Sequence, residues 1–156
     1  MTAPLPATAA EGRETEAWRP GLLPRFFAVF MALHGLVHVV GFTVPWGLGG
    51  PRGVEYRTTL LNGSIEVGDA AVKLIGFVWV AAALGFLAVA VMLWRGHPWA
   101  RRSTVAVLLG SFVLCLAGLP GSVMGLGIDV ATLGLLLVAS EKLIPRRADR
   151  TGGTAA

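Results

Sequence analysis

Apolar residues fall into four long runs, Phe26 to Trp46, Val72 to Trp94, Ser103 to Leu119 and Ser122 to Ser140, separated by polar or glycine-rich breaks. Each run meets the roughly 17 to 25 residues that a helical membrane span requires. In hydrocarbon a segment must satisfy its own backbone N–H and C=O groups, and four segments are too few and too long for a closed barrel. The pattern therefore predicts an all-α membrane protein, a four-helix transmembrane bundle occupying residues 21–145. Pro120-Gly121, between the third and fourth runs, is a turn dipeptide and predicts a tight helical hairpin there.

Outside the runs the pattern fades. Residues 1–20 are rich in Ala, Pro, Thr and Glu without apolar periodicity, and residues 146–156 follow Pro145 with basic and small residues. Both tails are expected to be disordered. The first run is too long for the apolar core of a signal peptide and is followed by Val44, Pro45 and Trp46 rather than a small-residue cleavage site, so it reads as an uncleaved first span. Gly47 to Ala71 is the only sizeable connection. Within it, Tyr56 to Leu61 and Ser64 to Val67 flank Asn62-Gly63, the pair favoured in a type I′ turn, which makes a short β-hairpin and an irregular loop equally good expectations. Asn62-Gly63-Ser64 also matches a glycosylation acceptor, relevant only to a eukaryotic secretory pathway.

Composition reinforces the membrane assignment: 54% of the 156 residues are hydrophobic, 14% are charged, and the mean hydropathy is +0.70. The net charge of +4 is spread along the ends of the runs rather than gathered in one patch, so it speaks for topology and against nucleic-acid binding. Arg13, Arg19, Arg25, Arg95, Arg101, Arg102, Lys142, Arg146, Arg147 and Arg150 fall on one side of the four spans, against Arg52, Arg57 and Lys73 on the other. With the basic excess inside, both termini are cytoplasmic. Trp46 at one boundary, and Trp94 and Trp99 at the other, fit interfacial anchors. An Arg-rich, Lys-poor chain full of Ala and Gly fits a GC-rich bacterial genome, hence a plasma-membrane location with the lipid bilayer as the first partner. The single cysteine, Cys115, excludes an intrachain disulfide and a C-x-x-C motif.

The chemistry-bearing residues lie inside the runs. His34 and His38 sit four residues apart in the first. Counting about 1.5 Å per residue from the outer boundary places His38 roughly 12 Å deep, Ser111 roughly 12 Å, Asp129 roughly 10 Å and Trp79 roughly 9 Å, so all four spans offer a polar group at one level. His34 lies one turn deeper, near Thr132, and Cys115 one turn shallower than Ser111 on the same helix side. A lone carboxylate at the depth of Asp129 costs about 2.5 to 3.5 kcal/mol even on lenient insertion scales, so it needs a partner. His38 is the expected one, with His34 as the alternative.

Such a layer can simply fix the register of a bundle, at about 0.6 kcal/mol per interhelical hydrogen bond. Three functional readings compete with that. His34, His38 and Asp129 can act as stepping stones for a proton or solute, although four spans call for a homodimer or another membrane subunit to complete a transport pathway. They are also the candidate metal ligands, with Cys115 as a further donor, but Gly35 stands where H-E-x-x-H has its glutamate, which argues against zinc-protease chemistry. Haem binding through one histidine, or across a dimer, is the third. No cofactor is singled out, and no nucleophile–base–acid set speaks for an enzyme. Small residues at helix-packing spacing, Ala81 with Gly85 and Gly121 with Gly125, read as packing.

The segment His34-Gly-Leu-Val-His-Val-Val-Gly-Phe42, a Gly/Asp loop, Gly76 and Trp79 in the second span, and Ser111 with Cys115 in the third resemble a bacterial family of small four-span integral membrane proteins. The resemblance covers residues 25–142 and implies a four-helix inner-membrane protein without an assigned activity or cofactor. Some members carry the label of transporter permease. The chain itself holds no G-x-x-x-x-G-K-[ST] loop, and its Arg95 to Arg102 connection is too short for an elaborate coupling helix. The expectation is thus an integral membrane protein with a buried His/Asp cluster of unknown biochemical activity, a small transport or proton-coupled component as the alternative, and a metal- or haem-binding protein after that.

Overall fold

A computed structural model describes residues 21–144; both tails, residues 1–20 and 145–156, lie outside the described part. The chain forms α1 (Leu22–Val37), α2 (Val40–Thr43), β1 (Thr59–Leu60), β2 (Ile65–Glu66), α3 (Gly68–Trp94), α4 (Ala100–Ala117) and α5 (Val123–Leu143). Among the described residues, three helical segments are long and apolar enough to cross a membrane: Leu22–Thr43, Gly68–Trp94 and Ala100–Ala117. A fourth apolar helix, Val123–Ala139, is shorter. Ala139 leaves helical geometry (φ −124°, ψ 19°) and kinks α5 there.

The helices surround one interior: α1 and α2 pack along α3, α3 on α4, and α4 on α5, with a lighter contact from α5 back to α1. Two glycines, Gly35 and Gly41, let the first pair approach closely, and Gly76 adds an ordinary contact. A Cβ on Gly35 would lie 2.5 Å from the Phe86 Cβ, one on Gly41 would fall within the Trp79 indole, and Gly76 receives Phe42. Close backbone approach is what drives association where lipid is as apolar as leucine. Of the small residues expected to pack, Gly85 meets Val107 and Gly125 meets Cys115, whereas Ala81 and Gly121 are exposed. Outward-facing side chains are apolar: Leu137 and Val138 are 87% and 89% exposed. Such a surface is tolerable in lipid and not in water, and the protein is membrane-embedded.

The first span is not one continuous helix. Between α1 and α2, His38 N–H bonds to Gly35 O, Val39 to Leu36, Gly41 to His38 and Phe42 to Val39, all at 3.0–3.1 Å. These i→i−3 bonds, with His38 at φ −64°, ψ −21°, wind the backbone locally as a 3₁₀ helix. At the other end of α3, Gly96 (φ 64°) donates to Leu93 O and His97 to Met92 O, the paired bonds of a Schellman cap. Pro98 then prevents the helix from continuing.

The Gly47 to Ala71 connection does form a hairpin, but with a different turn. Thr59 pairs with Glu66 and Leu60 with Ile65, leaving a four-residue loop 61–64 instead of a two-residue Asn62-Gly63 turn. Leu61 and Asn62 turn their N–H groups to Ala117 O (2.9 Å) and Leu119 O (3.0 Å), at the end of α4. Helix-terminal carbonyls lack intrahelical donors, so capping α4 outweighs one more ladder pair. We call this end of the bundle the hairpin face and the opposite end, where Leu22, Trp94 and Leu143 lie, the termini face.

Candidate functional site

The first span, α4 and α5 together bring four side chains to one point. His34 and His38 come from the first span, one turn apart; Ser111 comes from α4 and Asp129 from α5. All four are buried, and Asp129 is wholly inaccessible. His34 Nε2 lies 2.9 Å from Asp129 Oδ1, and Ser111 Oγ donates to Asp129 Oδ2 at 2.7 Å. The other face of Ser111 meets His38 Nε2, also at 2.7 Å. The result is a continuous chain, His34–Asp129–Ser111–His38.

The expected Asp129–His38 pair is therefore replaced by Asp129–His34. Ser111 lies between the carboxylate and His38, and a carboxylate with two oxygens can take one partner from each neighbouring helix. From α3, Trp79 packs on His38 with ring centroids 5.4 Å apart, and Phe86 packs on both imidazoles at 4.7 and 4.9 Å. Phe86 was not singled out from the sequence, although its position seven residues after Trp79 places the two on one helix face. Cys115 sits one turn from Ser111, its sulfur 4.0 Å from the hydroxyl and against Gly125.

The 3₁₀ turn fixes the protons on His38. Its own N–H points to Gly35 O, and the His34 carbonyl instead accepts from His38 Nδ1 at 3.1 Å. A carbonyl only accepts, so Nδ1 carries a hydrogen. If Asp129 were ionised and His38 neutral, the single Ser111 proton would have two acceptors to serve, Oδ2 and Nε2, and one would face a lone pair at 2.7 Å. One additional proton satisfies both contacts. Either imidazolium Nε2–H donates to Ser111 while Ser111 donates to the carboxylate, or the Asp129 carboxylic acid donates to Ser111 while Ser111 donates to neutral Nε2. The two arrangements interconvert when the proton on Nε2 moves to Oγ and the one on Oγ moves to Oδ2. Two bonds break, two form, and no atom travels further than a hydrogen bond.

These same atoms bear on the metal and haem readings. Among the described residues, no group of three or more His, Cys, Asp or Glu is placed to hold a metal ion. Nε2 of His34 and of His38, the usual ligating atom, is bonded within the protein. Thr132 and Thr104, the remaining buried hydroxyls facing the interior, are spent on the carbonyls of Ile128 and Ala100, both at 2.7 Å.

Compared with known protein families, curated proteins and solved structures, the chain matches none. What can be said of function rests on the geometry of this cluster.

Proposed function

We propose that this chain is a small proton-coupled component of a bacterial plasma membrane, with four spans, both termini cytoplasmic, and one proton held between His38 and Asp129 through Ser111. Its place among the small four-span proteins with an H-G-x-x-H-x-x-G-F first helix belongs to the same proposal. The observation that carries it is the Ser111 hydroxyl, 2.7 Å from both a carboxylate oxygen and an imidazole nitrogen. A layer built only for register would be served as well by neutral amides. An ionisable pair buried in low dielectric is costly to keep unless its charge states are used. The uneven distribution of basic residues, with Arg25, Arg95, Arg101, Arg102 and Lys142 at the termini face, supports the cytoplasmic placement of that face.

The test is a titration of ¹⁵N-labelled histidine by NMR, with infrared detection of the carboxyl group, on wild type, Ser111→Ala and Asp129→Asn. In wild type the His38 Nε2 signal and the Asp129 carboxyl band change together. Ser111→Ala keeps the His34–Asp129 contact and the fold but makes the two signals independent. Asp129→Asn removes the band and leaves His38 neutral at neutral pH. If wild-type His38 stays neutral and Asp129 ionised throughout the range in which carboxylates and imidazoles ordinarily titrate, the shared proton does not exist and the layer serves register alone.

A further inference from the structure

The two sides of the cluster differ in what they offer a proton. Toward the termini face, the residues one turn away are Met31 from α1, Phe86 and then Val89 from α3, and Leu108 from α4, each at most 1% exposed. Behind them lie Phe27, Leu93 and Leu136, also buried. The two hydroxyls on this side, Thr132 and Thr104, each donate to a carbonyl of their own helix. Toward the hairpin face the neighbours are small, polar or incompletely buried. Cys115 follows Ser111 at 4.0 Å. Ser122 donates to the Cys115 carbonyl. A Cβ on Gly118 would stand 3.0 Å from both the Trp79 ring and the Ser122 hydroxyl. Trp79, Gly41, Gly118 and Ser122 are all half-buried.

We propose that the proton held between His38 and Asp129 exchanges with the hairpin face alone, past Trp79, Cys115 and Ser122, and that the Met31–Phe86–Val89–Leu108 layer closes the termini face. The inference rests on the proton-holding reading above and adds its sidedness. The site then does not conduct protons through the bilayer. It loads from one side, and its occupancy is felt by the 3₁₀ turn through the His38 Nδ1 bond to the His34 carbonyl. The titratable groups facing His38 are His34 on its own element, Cys115 on α4 and Asp129 on α5; α3 contributes only Trp79 and Phe86. A proton arriving from the hairpin face protonates His38 Nε2 or, after the double shift through Ser111, Asp129 Oδ2.

The indole of Trp79, in contact with His38, supplies the readout, because imidazolium quenches indole fluorescence and neutral imidazole does so far less. The protein with Trp18, Trp46, Trp94 and Trp99 replaced by phenylalanine is reconstituted into sealed liposomes, and the fraction with the hairpin face outward is measured by protease access to the tails. External pH is then lowered rapidly, and a protonophore is added later. The expected result is a fast quench whose amplitude equals the hairpin-outward fraction, with the remainder appearing only after the protonophore; a His38→Gln version shows neither phase. A fast amplitude equal to the termini-outward fraction overturns the inference, as does complete quenching before the protonophore. An absence of quenching even after the protonophore removes the shared proton itself, and the sidedness with it.

Discussion

At the scale of single residues, glycine does as much as histidine. His34 and His38 reach α4 and α5 only because Gly35 and Gly41 let the first span lie against α3, with Phe86 and Trp79 filling the space that side chains at those positions would take. Gly35→Ala is therefore expected to cost about 1 to 3 kcal/mol, since its Cβ would overlap the Phe86 Cβ and the overpacked backbone would have to move. Gly110, on α4 with no atom within 4 Å of an added Cβ, is the control, and Gly110→Ala should be neutral or stabilise by up to about 1 kcal/mol. Reversible unfolding in mixed detergent micelles measures both; equal losses would mean that the close α1–α3 approach is not what holds the site. The polar residues were legible in the sequence because ionisable groups are rare in apolar runs. Their pairing was not: depth counted along a helix says nothing about rotation, and rotation is what placed His34, rather than His38, on Asp129.

At the scale of elements, the loop between the first span and α3 is tied down at both ends. Its hairpin caps α4, and Tyr56 donates its hydroxyl to Asp69 in the first turn of α3, where Lys73 also bonds the carboxylate at 2.9 Å. The hydrogen bond to Asp69 raises the Tyr56 phenol above its ordinary value of 10.0. Because the neutral phenol is the form held in the folded state, the tether is fully present below that value and is lost as pH climbs through the raised one. Tyr56 is the only tyrosine, so its ultraviolet titration can be followed directly. The transition should lie above that of the unfolded chain and fall back to it in Asp69→Asn; coincident transitions would mean the tether is not formed. The hairpin itself was signalled by Asn62-Gly63, whereas its wider loop was not, because the Leu61 and Asn62 amides are claimed by Ala117 at the end of α4 and Leu119 just after it, partners remote in sequence.

For the whole molecule, the fourth apolar helix sets a dimensional problem. Val123–Ala139 has 17 residues, about 25 Å at the usual rise per residue, against roughly 30 Å of hydrocarbon. A short helix is accommodated by thinning the bilayer, so the protein should resist unfolding better in vesicles with shorter acyl chains than in those with longer ones. A stability maximum in the thicker bilayers would instead argue that α5 does not cross as a fourth span. The sequence by itself determined the solvent of this protein and the level at which its polar groups lie, because long apolar runs permit only self-satisfied helices and an ionisable residue within them is too costly to be incidental. Tertiary structure alone decided the pairings, His34 with Asp129 and Ser111 between Asp129 and His38. Those depend on helix rotation and on how closely glycines let backbones approach, and both are settled by packing among distant segments rather than by any one segment's own pattern.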